Sequence, residues 1–126
     1  MADKKYLMLN DIEAYKNSFK LSNLVWDIII KWDYFAKDTV GKQFVRAVDS
    51  ISANMAEGFG RYGKKDKIKF YRYSLGSLFE SLDWNEKSHI RKLLDEEEYS
   101  KIFEELIKLP KAINSLIQFT DNKLKI

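Results

Sequence analysis

Ser50-Ile51-Ser52-Ala53-Asn54-Met55-Ala56-Glu57-Gly58-Phe59-Gly60-Arg61 is the stretch on which the fold turns. It is helix-compatible, its polar residues keep helical spacing, and it runs into a glycine-broken, strongly basic turn. Val40, Phe44, Ala47, Val48, Ile51, Met55 and Phe59 recur at the spacing of one buried helical face. Beside that stripe Gln43, Ser50, Asn54 and Glu57 form a polar row. Polar groups at the edge of a core need partners, since leaving one unpaired costs ~1–3 kcal/mol. Ser74, Gly76, Ser77 and Ser81 offer small surfaces and hydroxyls for a close helix approach.

Outward from that stretch the chain reads as helical throughout. Five glycines and one proline leave few breakers, and no alternating strand pattern is bounded by turn residues. The pattern predicts helix one over 11–35, with Asn10 as cap and Glu13 completing a capping box. Helix two starts at Asp38 or Thr39 and ends near Gly58 or Gly60. Helix three spans 64–93, and Asp95 with Glu98 forms a second capping box opening helix four. Pro110 predicts a kink or break in that last helix. Short connections between long helices imply an all-α, antiparallel up-down four-helix bundle in one domain, 1–126.

Composition excludes several functions. There is no cysteine, so thiolate catalysis, cysteine-ligated zinc and a disulfide framework are out. Residues 1–10 lack the apolar core of a signal peptide and no 18-residue apolar run could span a membrane, which predicts a cytoplasmic protein. Net charge is only +3, from 22 Lys+Arg against 19 Asp+Glu. Its distribution is uneven. Residues 61–72 hold six basic side chains and one acid, while 95–105 hold six acids and one base. Such separation favours an oriented anionic partner or contact between the two regions.

Helix one carries a surplus of apolar side chains. Ile12, Tyr15, Phe19, Trp26 and Ile29 make one stripe, and Leu21, Val25, Ile28, Trp32 and Phe35 make another nearly opposite. A bundle core buries one side of a helix, so the second stripe predicts association of copies, the alternative being a helix one set centrally in an irregular monomer.

Ser50 to Arg61, followed by Lys64-Lys65 and Phe70-Tyr71-Arg72-Tyr73-Ser74-Leu75-Gly76-Ser77-Leu78, resembles the four-helix bundle proteins encoded in intervening sequences of bacterial 23S ribosomal RNA genes. Accessory variability proteins of diversity-generating retroelements share that fold. Asp11-Ile12-Glu13-Ala14-Tyr15 is similar to the family's opening helix, and Asp95-Glu96-Glu97-Glu98-Tyr99 to the start of its fourth. Ala53 departs from a common proline, and Leu82 stands where a second acid after Glu80 is frequent. The resemblance implies a four-helix protomer assembled as a ring-like homopentamer. It also implies a basic surface able to contact nucleic acid or a protein partner.

Gly58-Phe59-Gly60-Arg61-Tyr62-Gly63 spells a dinucleotide-binding fingerprint, with Glu80 about 20 residues on as its acid. The fingerprint needs a preceding strand, and an amphipathic helix precedes it here, so the glycines read as a helix end and turn. Asn54 and Glu57 could form a catalytic pair, but no histidine, cysteine or ligand set accompanies them. The chain reads as a non-enzyme with a structural polar row at Ser50, Asn54 and Glu57, and with neither cofactor nor metal.

The basic segment carries the functional expectation. Arg61, Lys64, Lys65, Lys67, Lys69 and Arg72 lie among Phe59, Tyr62, Phe70, Tyr71 and Tyr73. Phosphate-contacting cations beside stackable rings are what single-stranded nucleic acid binding uses. Several lysines also open helix three, where they oppose its dipole and an anion would relieve the conflict. This predicts sequence-tolerant RNA or DNA binding, lost when Lys64, Lys65, Lys67 and Lys69 become glutamate. The alternative is a protein-binding scaffold whose lysines form a solvated face or meet glutamates of a neighbouring subunit. His89, on the stripe of Tyr71, Leu75, Leu78, Leu82 and Leu93, reads as a hydrogen-bonded core or interface residue. Trp26, Trp32 and Trp84 read as packing anchors.

Overall fold

A computed structural model of the chain describes residues 8–124, so the signal-peptide reading of 1–10 falls mostly outside it. After a 3-10 turn at Leu9–Asp11 come α1 (Glu13–Ile29), the single turn α2 (Tyr34–Ala36), a π-helical turn (Lys37–Gly41), α3 (Lys42–Phe59), α4 (Lys64–Ile90) and α5 (Glu96–Lys123). The four long helices are α1, α3, α4 and α5, and no strand occurs among the described residues. α3 packs on α1 and α4, and α5 completes the bundle against α4 and α1.

Local chemistry moves several predicted boundaries. Helix one stops at Ile29 instead of reaching 35 because Lys31 and Trp32 donate to the carbonyls of Ile28 and Ile29 in a tight turn. Asp33 then accepts the Ala36 N–H at 3.1 Å, capping a new helical run that starts ahead of the expected 38 or 39. Asn10 does not cap α1. It lies in the 3-10 turn, whose Asp11 carboxylate accepts the Met8 N–H at 2.8 Å, and Ile12 fills the cap position without a side-chain bond. The predicted box at the start of α5 is present, with Glu98 N–H on Asp95 at 2.7 Å and Asp95 N–H on Glu98 at 3.0 Å.

α4 ends at Ile90, three residues short of the prediction. Lys92 takes φ 62°, Leu93 N–H reaches Ser88 carbonyl at 2.8 Å, and Lys92 N–H reaches His89 carbonyl at 3.0 Å. This doubly bonded left-handed terminus is the sort glycine usually makes, so lysine left no sequence signal. Pro110 does not split the last helix, and α5 runs through it. Leu106, Leu109 and Ile113 are buried on both sides of the proline and hold the helix across the lost hydrogen bond.

The core is the α3 stripe and what surrounds it. Phe44, Ala47, Val48, Ile51 and Met55 are buried, with Leu21 and Val25 of α1, Leu78 of α4 and Ile102, Leu106 and Ile113 of α5. α4 faces inward through Tyr71, Ser74, Leu78, Ser81, Asn85 and Ser88. Ser74 Oγ donates to the Ile51 carbonyl at 2.8 Å, tying α4 to α3. In the polar row of α3, in contrast, Ser50 and Asn54 are satisfied on their own helix and Glu57 by the turn that follows it. Ser50 Oγ donates to Arg46 carbonyl at 2.7 Å, Asn54 Nδ2 to Ser50 carbonyl at 2.9 Å, and Glu57 pairs with Arg61 at 2.8 Å.

Gly58 sits where α3 meets α4. A Cβ there would lie 2.8 Å from Tyr71 Cε1, 2.9 Å from the Lys67 carbonyl oxygen and 3.0 Å from Phe70 Cβ. A backbone oxygen cannot swing away as a side chain can. Gly58→Ala is therefore expected to destabilise by ~1–3 kcal/mol despite alanine's better helix propensity, read as a lowered thermal midpoint.

Only part of the helix-one surplus is covered. Ile12, Leu21, Val25 and Ile29 are buried, whereas Phe19, Trp26 and Ile30 remain 50%, 52% and 49% exposed. No helix among the described residues is long and apolar enough to cross a membrane.

Candidate nucleic-acid interface

The basic segment occupies the α3–α4 turn and the first turns of α4. Gly58 lies inside α3, and the Gly60 N–H returns to the Ala56 carbonyl at 3.1 Å. A helix thus precedes the glycines, and Glu80 lies within α4, so a dinucleotide fingerprint's strand is missing here.

The six cations separate into two groups. Lys64 and Lys67 face the neighbouring helices. Lys67 Nζ donates to the Phe59 carbonyl at 2.7 Å, the last residue of α3, and lies 5.4 Å from the Phe59 ring centre. Burial pushes its pKa below the usual lysine value. Lys64 Nζ donates to the Asp121 carbonyl at 3.2 Å and stands 3.6 Å from its carboxylate, near the end of α5. The conflict with α4's own dipole is offset by the negative ends of α3 and α5, and no outside anion is required for these two lysines.

Arg61, Lys65, Lys69 and Arg72 are exposed. The last three fall at i, i+4 and i+7, so they share one face of α4. The Arg61 guanidinium lies 4.6 Å from the Phe70 ring centre and the Lys69 ammonium 5.2 Å from it. Phe70 meets Tyr73 edge-on, with centroids 5.4 Å apart at 85°. Tyr62 is 83% exposed beside them in sequence. Lys69 shares charge with Asp66 at 3.6 Å and Arg61 with Glu57, exposed pairs of little energy that phosphate could replace. Lys65 and Arg72 have no ion-pair partner among the described residues. Tyr71 leaves the set: it is buried, and desolvation pushes its hydroxyl up to about 12. Phe59 also packs against the core.

His89 sits at the rim between α4 and α5, not on a core stripe. Its ring stacks on Tyr99 at 3.9 Å and 12°, with Nε2 2.8 Å from Glu96 Oε1. Tyr99 OH donates to Glu86 at 2.8 Å, a bond that raises the Tyr99 pKa. Trp32 and Trp84 pack against the core, whereas Trp26 stands in the open.

A second feature was not anticipated from sequence. Trp26, Ile30 and Val45 line a groove of about 310 Å³ whose rim carries Lys37, Lys42 and Arg46. Of its apolar residues Trp26 was legible, on the first stripe of helix one, whereas Ile30 and Val45 lay on neither stripe. The cations were not legible, because Lys42 and Arg46 come from α3 and only its packing on α1 brings them beside Trp26.

Comparison with curated proteins finds no match. A crystal structure of a protein with unknown function from the S23 ribosomal protein family of Bacteroides thetaiotaomicron VPI-5482 is similar in fold, with a TM-score of 0.74 at 20% identity, over 82% of this chain and 97% of that one. The family model described as 23S rRNA-intervening sequence protein matches residues 10–115, and the chain belongs to that family.

Proposed function

We propose that this protein is a non-enzymatic, cytoplasmic oligomer that binds single-stranded RNA or DNA, with little regard to sequence, through Arg61, Lys65, Lys69 and Arg72. The observation that carries the reading is their exposure beside the Phe70–Tyr73 pair and Tyr62. Cations on one helical face track a phosphate backbone, and the exposed rings of Tyr62 and Tyr73 accept bases of any identity. Lys64 and Lys67 support the platform from beneath. Two features favour a single-domain, antiparallel up-down protomer: Ser74 pairs with Ile51 while Tyr71 meets Gly58, and Asn85 bonds Tyr99 while Lys64 meets Asp121. The uncovered Phe19, Trp26 and Ile30 favour assembly of copies, for which the family resemblance suggests a homopentameric ring. A ring repeats the basic patch and multiplies weak contacts.

A protein-binding scaffold is the second reading, favoured by the groove at Trp26 with its cationic rim. Retention of single-stranded RNA across a salt gradient, with light scattering on the same material, separates the two. Salt-sensitive retention by an oligomer supports the first reading. No retention at 50 mM salt, where phosphate contacts are strongest, sinks it.

A further inference from the structure

α4 has an outward face that nothing in the protomer covers. At its middle stands Gly76, exposed, and a Cβ built there would meet nothing within 4 Å. Packing inside the protomer therefore gives no reason for glycine. Glycine in a helix interior still costs about 1 kcal/mol relative to alanine. Its surroundings are symmetric in a particular way. Three residues either side are Tyr73 and Phe79, exposed by 50% and 61%. Four either side are Arg72 and Glu80, and seven either side are Lys69 and Asp83. Aromatic thus mirrors aromatic, and cation mirrors anion.

We propose that α4 pairs with α4 of a second copy, antiparallel, about a two-fold axis at Gly76. In such a pair each residue before the axis meets its mirror position on the partner. Arg72 then faces Glu80, Lys69 faces Asp83, and Tyr73 packs on Phe79, each contact made twice as an isologous interface requires. The missing side chain at Gly76 lets the backbones close below the usual 8–10 Å between helix axes. Farther out, Lys65 would meet Lys87, a like-charge contact. That favours steeply crossed helices, about −50° as in common helix packing, which diverge before those residues meet. The present partners are neighbours on α4 itself: Lys69 with Asp66, Glu80 with Trp84 Nε1 and Asp83 with Lys87. Such surface contacts exchange at little cost.

The pairing does not depend on nucleic-acid binding, although Lys69, Arg72 and Tyr73 belong to both surfaces, so the two occupants compete for α4. It also differs from ring closure, since a two-fold contact doubles whatever assembly the other faces build.

The cysteine-free chain makes the axis testable. With Gly76→Cys as the sole thiol, mild oxidation without nucleic acid is expected to link copies through a residue that meets itself. Ser115→Cys, exposed on α5, reports random collision. In parallel, Arg72→Glu or Glu80→Arg alone is expected to halve the mass seen by light scattering. The double variant Arg72→Glu, Glu80→Arg restores it, because each copy then carries both swapped charges. Circular dichroism checks that the helices persist. Cross-linking of Gly76→Cys no better than Ser115→Cys, or a mass indifferent to the single reversals, overturns the proposal. Glu80→Arg separates the readings, since it breaks the pair while leaving every cation of the RNA patch in place.

Discussion

The triple variant Lys65→Glu, Lys69→Glu, Arg72→Glu should keep its fold and lose retention on single-stranded RNA. All three side chains are exposed, and Lys69's contacts with Asp66 and with the Phe70 ring are surface ties worth little. Stability should therefore stay within about 0.5 kcal/mol of the parent. Binding responds quite differently. Each phosphate contact on a single strand contributes about −0.7 to the slope of log affinity against log salt, so losing three flattens that slope by roughly 2. At 50 mM salt the same loss amounts to more than about 100-fold, before counting repulsion from the new carboxylates. Filter retention over a salt series reads both quantities. Lys64→Glu with Lys67→Glu should give the opposite pattern, because it strips the carbonyl contacts at the ends of α3 and α5. A triple variant with an unaltered salt slope would place binding elsewhere on the molecule.

The largest stability effect is expected at Phe44. It is fully buried on α3, within the cluster joining α1, α3, α4 and α5. Phe44→Ala removes the ring's contacts and leaves a void that close-packed neighbours fill only in part, at ~3–5 kcal/mol. Set against the ~5–15 kcal/mol that holds typical domains folded, that is a large fraction. For a chain of this size the thermal midpoint should fall by on the order of 10–20 °C. Comparison at one protein concentration is required, since association of copies, where it occurs, adds to apparent stability. A loss below about 1 kcal/mol would mean that the core is centred somewhere other than the α3 stripe.

The parts of this fold that were legible in sequence are those governed by periodicity and capping. The α3 stripe from Phe44 to Met55 and the Asp95–Glu98 box emerged as read. Helix one was overextended because the second apolar stripe continued past the break, and the cap at Asp33 was outweighed by Trp32 and Phe35 around it. The end of α4 was invisible because a lysine occupies the left-handed position. At the candidate site, composition located the patch but could not divide it. Only through-space contacts reveal that Lys64 and Lys67 serve the ends of other helices while Arg61, Lys65, Lys69 and Arg72 look outward.

The π-helical turn Lys37–Gly41 bears on how this chain tolerates length changes. The Lys42 N–H reaches back five residues to the Lys37 carbonyl, so the helical run from Tyr34 to Phe59 carries one residue more than regular winding needs. Deleting Thr39 would let that turn relax to ordinary winding, keeping the Asp33 cap upstream and the Phe44 register downstream. The same deletion one turn beyond Phe44 has no slack to draw on, and would swing every later side chain of α3 by about 100° off its facing groove. Natural indels in this stretch should accordingly cluster at one spot.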